Sequence, residues 1–243
     1  MPIRGSLIPA FFLLSFVFSG NIRKVSAQAP PSVESVLMQY HITDTIPGLR
    51  VALKNPNPNI RTLAAGMLAN DKDVDSIPML RDALDNERTE SVRLSLAASL
   101  ATLKDWQGLD SLKKTCNDAD ESHTTRLLAA NRLLDAGSND CMVSVVDILG
   151  DKPDAPSREL GLQYLRRTIS APPFLLPKLQ TILVSELRDE SPINRQYASE
   201  CISVLGDENS VPALENAISI EKHQPTRLHL EENLKRIKAR LNS

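Results

Sequence analysis

Arginine recurs at Arg61, Arg93, Arg126, Arg158, Arg195 and Arg227, with gaps of 32, 33, 32, 37 and 32 residues. A fixed period of that size is the signature of stacked structural repeats, each too small to bury its own apolar face. The ladder therefore constrains how a surface is built and leaves open what that surface binds.

The register extends beyond arginine. Four residues before each Arg stand Asn57, Thr89, Ser122, Asp154, Ser191 and His223. Five of these six carry a short side-chain oxygen suited to capping the free N–H groups of a helix's first turn. Pro58 and Pro192 follow two of them directly, where a missing N–H costs nothing. Seven residues after each Arg come Leu68, Leu100, Leu133, Leu165, Ile202 and Leu234, and three or four after it come small residues such as Ala64/Ala65, Ala129/Ala130 and Gly161. Spacings of three, four and seven share one helical face. Each unit thus holds a capped helix with an apolar stripe that admits a close neighbour.

A second helix precedes each of these, over 46–54, 76–84, 107–116, 139–149, 174–188 and 210–219, where apolar residues such as Ile77, Leu80 and Leu84 keep helical spacing. Polar turns such as Asn55-Pro56-Asn57-Pro58 separate the two helices of a unit. No segment alternates with the strict period of a strand. The expected fold is all-α: a right-handed α-solenoid of six antiparallel helical hairpins over about 45–73, 74–105, 106–137, 138–170, 171–207 and 208–241. Residues 28–44 are expected to form a lead-in with a capping helix near 33–41. The 37-residue gap predicts a lengthened unit, with Pro172-Pro173 opening a longer first helix.

These residues resemble the HEAT repeats, especially their short bacterial form. That family pattern has a Pro in the first helix, an Asp in the turn and an Arg six residues later. The chain shows Ile46-Pro47, Ile77-Pro78, Leu176-Pro177 and Val211-Pro212, and Glu87, Asp120, Asp189 and Glu221 six residues before an Arg. It departs at Asn55 and Lys152, which hold the acid position, and in repeats three and four, which lack the proline. TPR arrays are excluded by the missing Trp-Leu-Gly-Tyr signature, and armadillo units run longer. The resemblance implies a solenoid that binds through its second helices. It also implies a competing reading as an enzyme or enzyme accessory of the phycobilisome-lyase type, whose HEAT-like repeats attach bilin pigments inside the cell. The Arg and the acid are expected to form a structural ladder, each Arg pairing with an acid of its own or the next repeat.

The N-terminus carries Arg4, the apolar run Leu7 to Phe18, and Val25-Ser26-Ala27. A basic residue, an apolar stretch too short to span a bilayer and small residues at −3 and −1 predict a secretory signal peptide over 1–27, cleaved after Ala27. Arg23 and Lys24 before the cut leave an uncleaved anchor as the alternative. Export to the periplasm or beyond argues against the lyase reading. Cleavage would take Arg4, Arg23 and Lys24 from the 28 basic residues, leaving 25 against 30 acids and a net charge of −5. A nucleic-acid binder needs a basic stripe; Lys113-Lys114 and Arg166-Arg167 are isolated pairs. No further membrane span is expected in the mature chain.

Other chemical signals are weak. Cys116, Cys141 and Cys201 are an odd set; relative to their arginines the first two sit seven residues out of step. On adjacent parallel helices that offset is ~10 Å along the axis, too far for a bridge, so three buried reduced thiols are expected. Asp71-Lys72-Asp73-Val74-Asp75 mimics a calcium loop, but Ser76 stands where an EF-hand needs Gly, and a capped inter-repeat turn is the expectation. His41, His123, His223 and His229 form no i, i+4 metal pair. No cofactor, no metal and no catalytic residue is expected.

A binding face remains. At about 100° per residue, positions one, five and nine after each Arg point away from the buried stripe. In repeats one and two these are Thr62, Gly66, Asn70, Leu94, Ala98 and Thr102. In repeats four and five they are the polar Glu159, Gln163, Arg167, Gln196 and Glu200, with Tyr164 and Tyr197 beside them as either interface anchors or packing between helices. The chain is expected to be an exported non-catalytic scaffold that binds an unidentified protein or peptide there.

Overall fold

The computed structural model describes residues 33–168 and 170–242; the signal segment expected over 1–27 lies outside them. The chain divides into two compact units, Met1–His41 and Ile42–Ser243. The described part of the first holds one helix, α1 (Val33–Gln39).

The second unit is an α-solenoid of paired helices, with no strand among the described residues. The pairs are α2 (Ile46–Ala52) with α3 (Pro58–Asn70), α4 (Ile77–Asn86) with α5 (Glu90–Thr102), and α6 (Trp106–Asn117) with α7 (His123–Asp135). They continue with α8 (Met142–Gly150) and α9 (Ala155–Arg166), α10 (Leu176–Glu186) and α11 (Pro192–Leu205), and α12 (Ser210–Ile220) and α13 (Gln224–Leu241). Short 3-10 turns, Val74–Ser76 and Pro173–Leu175, lead into α4 and α10. Second helices stack in sequence, α3 on α5, α5 on α7, α7 on α9, α9 on α11 and α11 on α13.

The core follows the sequence stripe. Ala64, Ala65, Leu68, Leu96, Ala97, Leu100, Ala129, Ala130, Leu162, Leu165, Ala198 and Ile202 are all buried. Small residues on this stripe bring backbones together: a Cβ added at Gly108 on α6 would meet Ala101 N and Ala97 O of α5 at 2.6 Å. The residue just before each ladder Arg is also buried, and it changes from apolar to polar along the chain: Ile60, Val92, Thr125, Ser157, Asn194 and Thr226. The hydroxyls there find partners: Thr125 donates to Glu90, and Ser157 bonds Thr124 at 3.0 Å.

Three second helices end alike. Lys72, Lys104 and Gly137 adopt positive φ (56°, 62° and 95°). After α3, Lys72 N–H donates to Ala69 O and Asp73 N–H to Leu68 O. The same pair of bonds closes α5 and α7, so orphan carbonyls are satisfied by a left-handed residue. The 37-residue gap contains no longer first helix, which corrects the expectation above. α10 has 11 residues against 12 in α6; the added length sits before α10, over residues 167–175.

The arginine ladder exists, and Arg61, Arg158 and Arg195 each reach forward. Arg61 grips Glu87 of the next repeat with Nε–Oε2 at 2.6 Å and Nη2–Oε1 at 2.9 Å, while Nη1 donates back to Asn55 O and Pro56 O. Arg195 repeats this with Glu221 (2.6 and 2.9 Å) and the carbonyls of Asp189 and Glu190. Arg158 pairs with Asp189 at 2.8 Å and donates to Pro153 O. Each guanidinium thus closes its own turn and clamps the next.

These acids have a second task. Glu87, Asp189 and Glu221 also accept the N–H of Thr89, Ser191 and His223. Those three helix-start residues make no side-chain cap bond. Where no paired acid precedes, the cap works by itself: Asn57, Ser122 and Asp154 accept from Asn59, Thr125 and Ser157 N–H.

Asp120 is not the ladder acid of its repeat. It is exposed, and Arg93 instead approaches Glu121 at 3.8 Å, because Ser122 already caps α7 and leaves the turn free to face the neighbouring residue inward. Among the described residues Arg126 meets no acid, since Lys152 occupies that place, and it donates to Cys116 O at 3.2 Å. Arg227 pairs with Glu231 of its own helix.

A second ladder links the first helices. Arg50 of α2 holds Asp73 at 2.8 Å and Ser76 Oγ at 2.8 Å; Arg81 of α4 holds Asp105 at 2.5 Å; Lys113 of α6 holds Asp140 at 3.0 Å. Each cation meets an acid just ahead of the next first helix.

The cysteine expectation is overturned for two of three residues. Cys116 and Cys141 form a disulfide with Cα atoms 6.0 Å apart, inside the usual range. The helical offset fails because Cys141 is not on a helix. It is the N-cap of α8, at φ −92° and ψ 4°, and α8 begins late in its repeat, so the turn carries Cys141 to the end of α6. Cys201 is a buried free thiol, its pKa pushed up by burial.

Candidate functional site

The outward positions of the later second helices form one polar row across α7, α9, α11 and α13. Arg167, at the end of α9, pairs with Asp135 of α7 and lies 3.5 Å from Asn131 Oδ1. Its neighbour Arg166 donates to Glu200 of α11 at 3.1 Å and stands over the Tyr197 ring, 4.5 Å from its centroid. The other oxygen of Glu200 meets His229 Nε2 of α13 at 2.8 Å. These side chains are about one-quarter to one-half exposed; Glu200 is 26% and Asp135 48%. Exposed pairs of this kind contribute only about 0–1 kcal/mol each, so they can exchange partners at little cost.

The expected site residues are thus placed as follows. Glu159 and Gln163 lie one turn apart on α9 and bond at 3.3 Å. Gln196 reaches Thr226 Oγ1 of α13 at 2.9 Å, which also meets His223 Nδ1 at 2.8 Å. Arg167, Tyr197 and Glu200 belong to the row just described. Tyr164 does not join them. It is fully buried, its hydroxyl donates to Asn139 O at 3.1 Å, and burial raises its pKa. Of its two readings, packing between helices holds: its side chain falls on the stripe beside Leu165.

Sequence reasoning missed Arg166, Asp135 and His229. Arg166 was passed over as half of an isolated basic pair, yet it lies one helical turn from Glu200 of the next unit in the repeat register. In repeats one and two the same face carries Thr62, Gly66, Leu94 and Ala98, half-exposed and uncharged.

The calcium-like stretch resolves into structure. Lys72 is the left-handed residue that ends α3, and Asp73 is the partner of Arg50 and of the Ser76 hydroxyl. Burial raises the Asp73 pKa, but the bonds from Ser76 and Arg50 outweigh it and hold the carboxyl below its usual range. Among the described residues no three His, Cys, Asp or Glu side chains gather as an ion site. No described helix is long and apolar enough to cross a membrane.

A family model described as HEAT repeats matches residues 35–101. No curated protein sequence matches the chain. Among solved structures, human deoxyhypusine hydroxylase in complex with glycerol is similar, with a TM-score of 0.40 and 16% identity over 80% of this chain and 84% of that one. That likeness is too low to bear on chemistry.

Proposed function

We propose that this chain, a HEAT-repeat protein, is an exported, non-catalytic scaffold that binds a protein or peptide on the second-helix face of its later repeats. The observation that supports this is the continuous half-exposed row Asp135, Arg167, Arg166, Tyr197, Glu200 and His229, spread over four successive second helices. Arg and Tyr are the side chains most often found at the energetic centre of interfaces, and here the Arg166 guanidinium stands over the Tyr197 ring. The Cys116–Cys141 bridge supports export, since such bonds persist in oxidising compartments.

The test is Arg167→Glu combined with Tyr197→Ala, with retention of exported proteins on the immobilised chain as readout and the thermal melt as folding control. Loss of a specific partner with an unchanged melt is expected. Identical retention by the variant would remove the face from the proposal. For export, sequencing of the mature terminus is expected to begin at Gln28; an uncleaved chain held in the cytosol would sink that part.

A further inference from the structure

A groove of about 580 Å³ runs along the turn edge of the first two helix pairs, between the end of α2 and α4. That volume falls within the range of sites that hold small ligands. Leu53, Pro56, Met79 and Ala83 supply its apolar surface, and Asn55, Asn86 and Thr89 its neutral polar groups. Four cations border it, Arg50, Lys54, Arg61 and Arg88, against the two carboxylates of Asp82 and Glu87.

Of the carboxylates, Glu87 is neutralised by Arg61 and Asp82 stays exposed, which leaves Lys54 and Arg88 against one open carboxylate. Glu87 is covered by the two bonds from Arg61 and by the N–H groups of Arg88 and Thr89. Asp82 accepts the Asn86 amide at 3.1 Å. Among the described residues, neither Lys54 nor Arg88 has an ion-pair partner, and both are exposed. The groove therefore presents two open cations beside an apolar floor, on a chain whose overall charge is negative.

The boundary that follows lacks this charge, whereas the boundary of the last two helix pairs repeats it: Arg188 stands seven residues before Arg195 as Lys54 does before Arg61, and Lys222 five before Arg227 as Arg88 does before Arg93. Counting from Arg50 to Arg81 and from Leu53 to Leu84, Lys54 corresponds to Asp85; five residues before the ladder Arg, Arg88 corresponds to Glu121. The next repeat boundary has acids at both places.

We propose that this groove binds an extended peptide segment bearing acidic side chains. Lys54 and Arg88 would each take a carboxylate, and Asn55, Asn86 and Thr89 offer hydrogen bonds to an exposed peptide backbone. An extended chain suits the space better than a helix: a helix about 10–12 Å across would fill about 580 Å³ in little more than one turn. The site lies on the turn edge, apart from the second-helix row, so its failure would leave the scaffold proposal standing.

The experiment uses the full mature chain and fluorescence anisotropy of two labelled eight-residue peptides, one alternating Glu and Ala, the other Lys and Ala. The Glu peptide is expected to bind at least tenfold more tightly, less so as salt rises. Lys54→Glu with Arg88→Glu is expected to reverse the preference, with an unchanged far-UV circular dichroism spectrum; Lys114→Glu, on α6, is expected to leave it intact. Equal binding of the two peptides, no binding of the Glu peptide at millimolar concentration, or a preference that survives the double reversal would overturn the proposal. Competition by free glutamate as strong as that by the unlabelled peptide would overturn the peptide part, leaving a small-carboxylate site.

Discussion

Glu186 ends α10 with its side chain only 8% exposed, and its Oε2 has no hydrogen-bond partner among the described residues. Arg158 stands 4.0 Å away but is committed to Asp189 at 2.8 Å. Burial, and then the Asp189 charge, push the Glu186 carboxyl from its ordinary 4.5 up to about 7, against the pull of Arg158. Each tenfold change in proton affinity is worth about 1.4 kcal/mol, so ionising this group in the fold costs roughly 3–4 kcal/mol. The sign follows from a folded pKa above the unfolded one: the stability is present below about pH 4.5 and is lost as pH rises through about 7. Glu186→Gln removes this dependence. In urea unfolding followed by circular dichroism, the variant is expected to match the wild type near pH 4.5 and to exceed it by roughly 3–4 kcal/mol near pH 8. Other titrating groups cancel in the difference between the two proteins. Because repeat arrays can open in stages, amide exchange across α10 and α11 gives the local reading. A difference between the proteins that stays constant with pH would refute the reasoning.

Three further outcomes follow from the packing. Glu87 is held at about 2, first by the Arg61 hydrogen bonds, so its contribution is present above about pH 4.5 and lost as pH falls toward 2; after solvent screening, Glu87→Gln is expected to cost ~1–2 kcal/mol at pH 7 and little near pH 2, read by thermal unfolding. Gly108→Ala drives a methyl to 2.6 Å from backbone atoms of α5 and is expected to cost roughly 1–3 kcal/mol; an unchanged melting temperature would mean that α6 shifts freely. Peptide mapping without reductant is expected to join Cys116 to Cys141 with Cys201 free, and opening this 25-residue link should cost about 3.5 kcal/mol by the chain-entropy relation; three free thiols in the exported protein would refute the bridge.

Much of the fold was legible because one period imposes one geometry. The Arg positions, the small-residue stripe and the capping residues recur together, and each has a local physical cause. What the register could not give lay where the turns depart from it. The Cys116–Cys141 bridge depends on the late start of α8, and nothing in a helical count marks that. The displacement of Asp120 by Glu121 depends on which residue already caps α7. Arg50, Arg81 and Lys113 with Asp73, Asp105 and Asp140 were visible as a second period in the sequence, but Lys at one rung and a stretched third interval obscured it. Of the candidate face, the outward positions were readable from helical spacing. Tyr164 was not, since a residue at the border of the stripe goes inward or outward according to the neighbour it meets, here Asn139 O.

The most direct test of the scaffold reading is site-specific photo-crosslinking in the producing cells, with a benzophenone side chain placed at Arg167 on the second-helix face and, separately, at Lys114 on α6. The predicted result is a discrete adduct from position 167, with none from position 114. Adducts from position 114 alone, or from neither position in correctly exported protein, would contradict it.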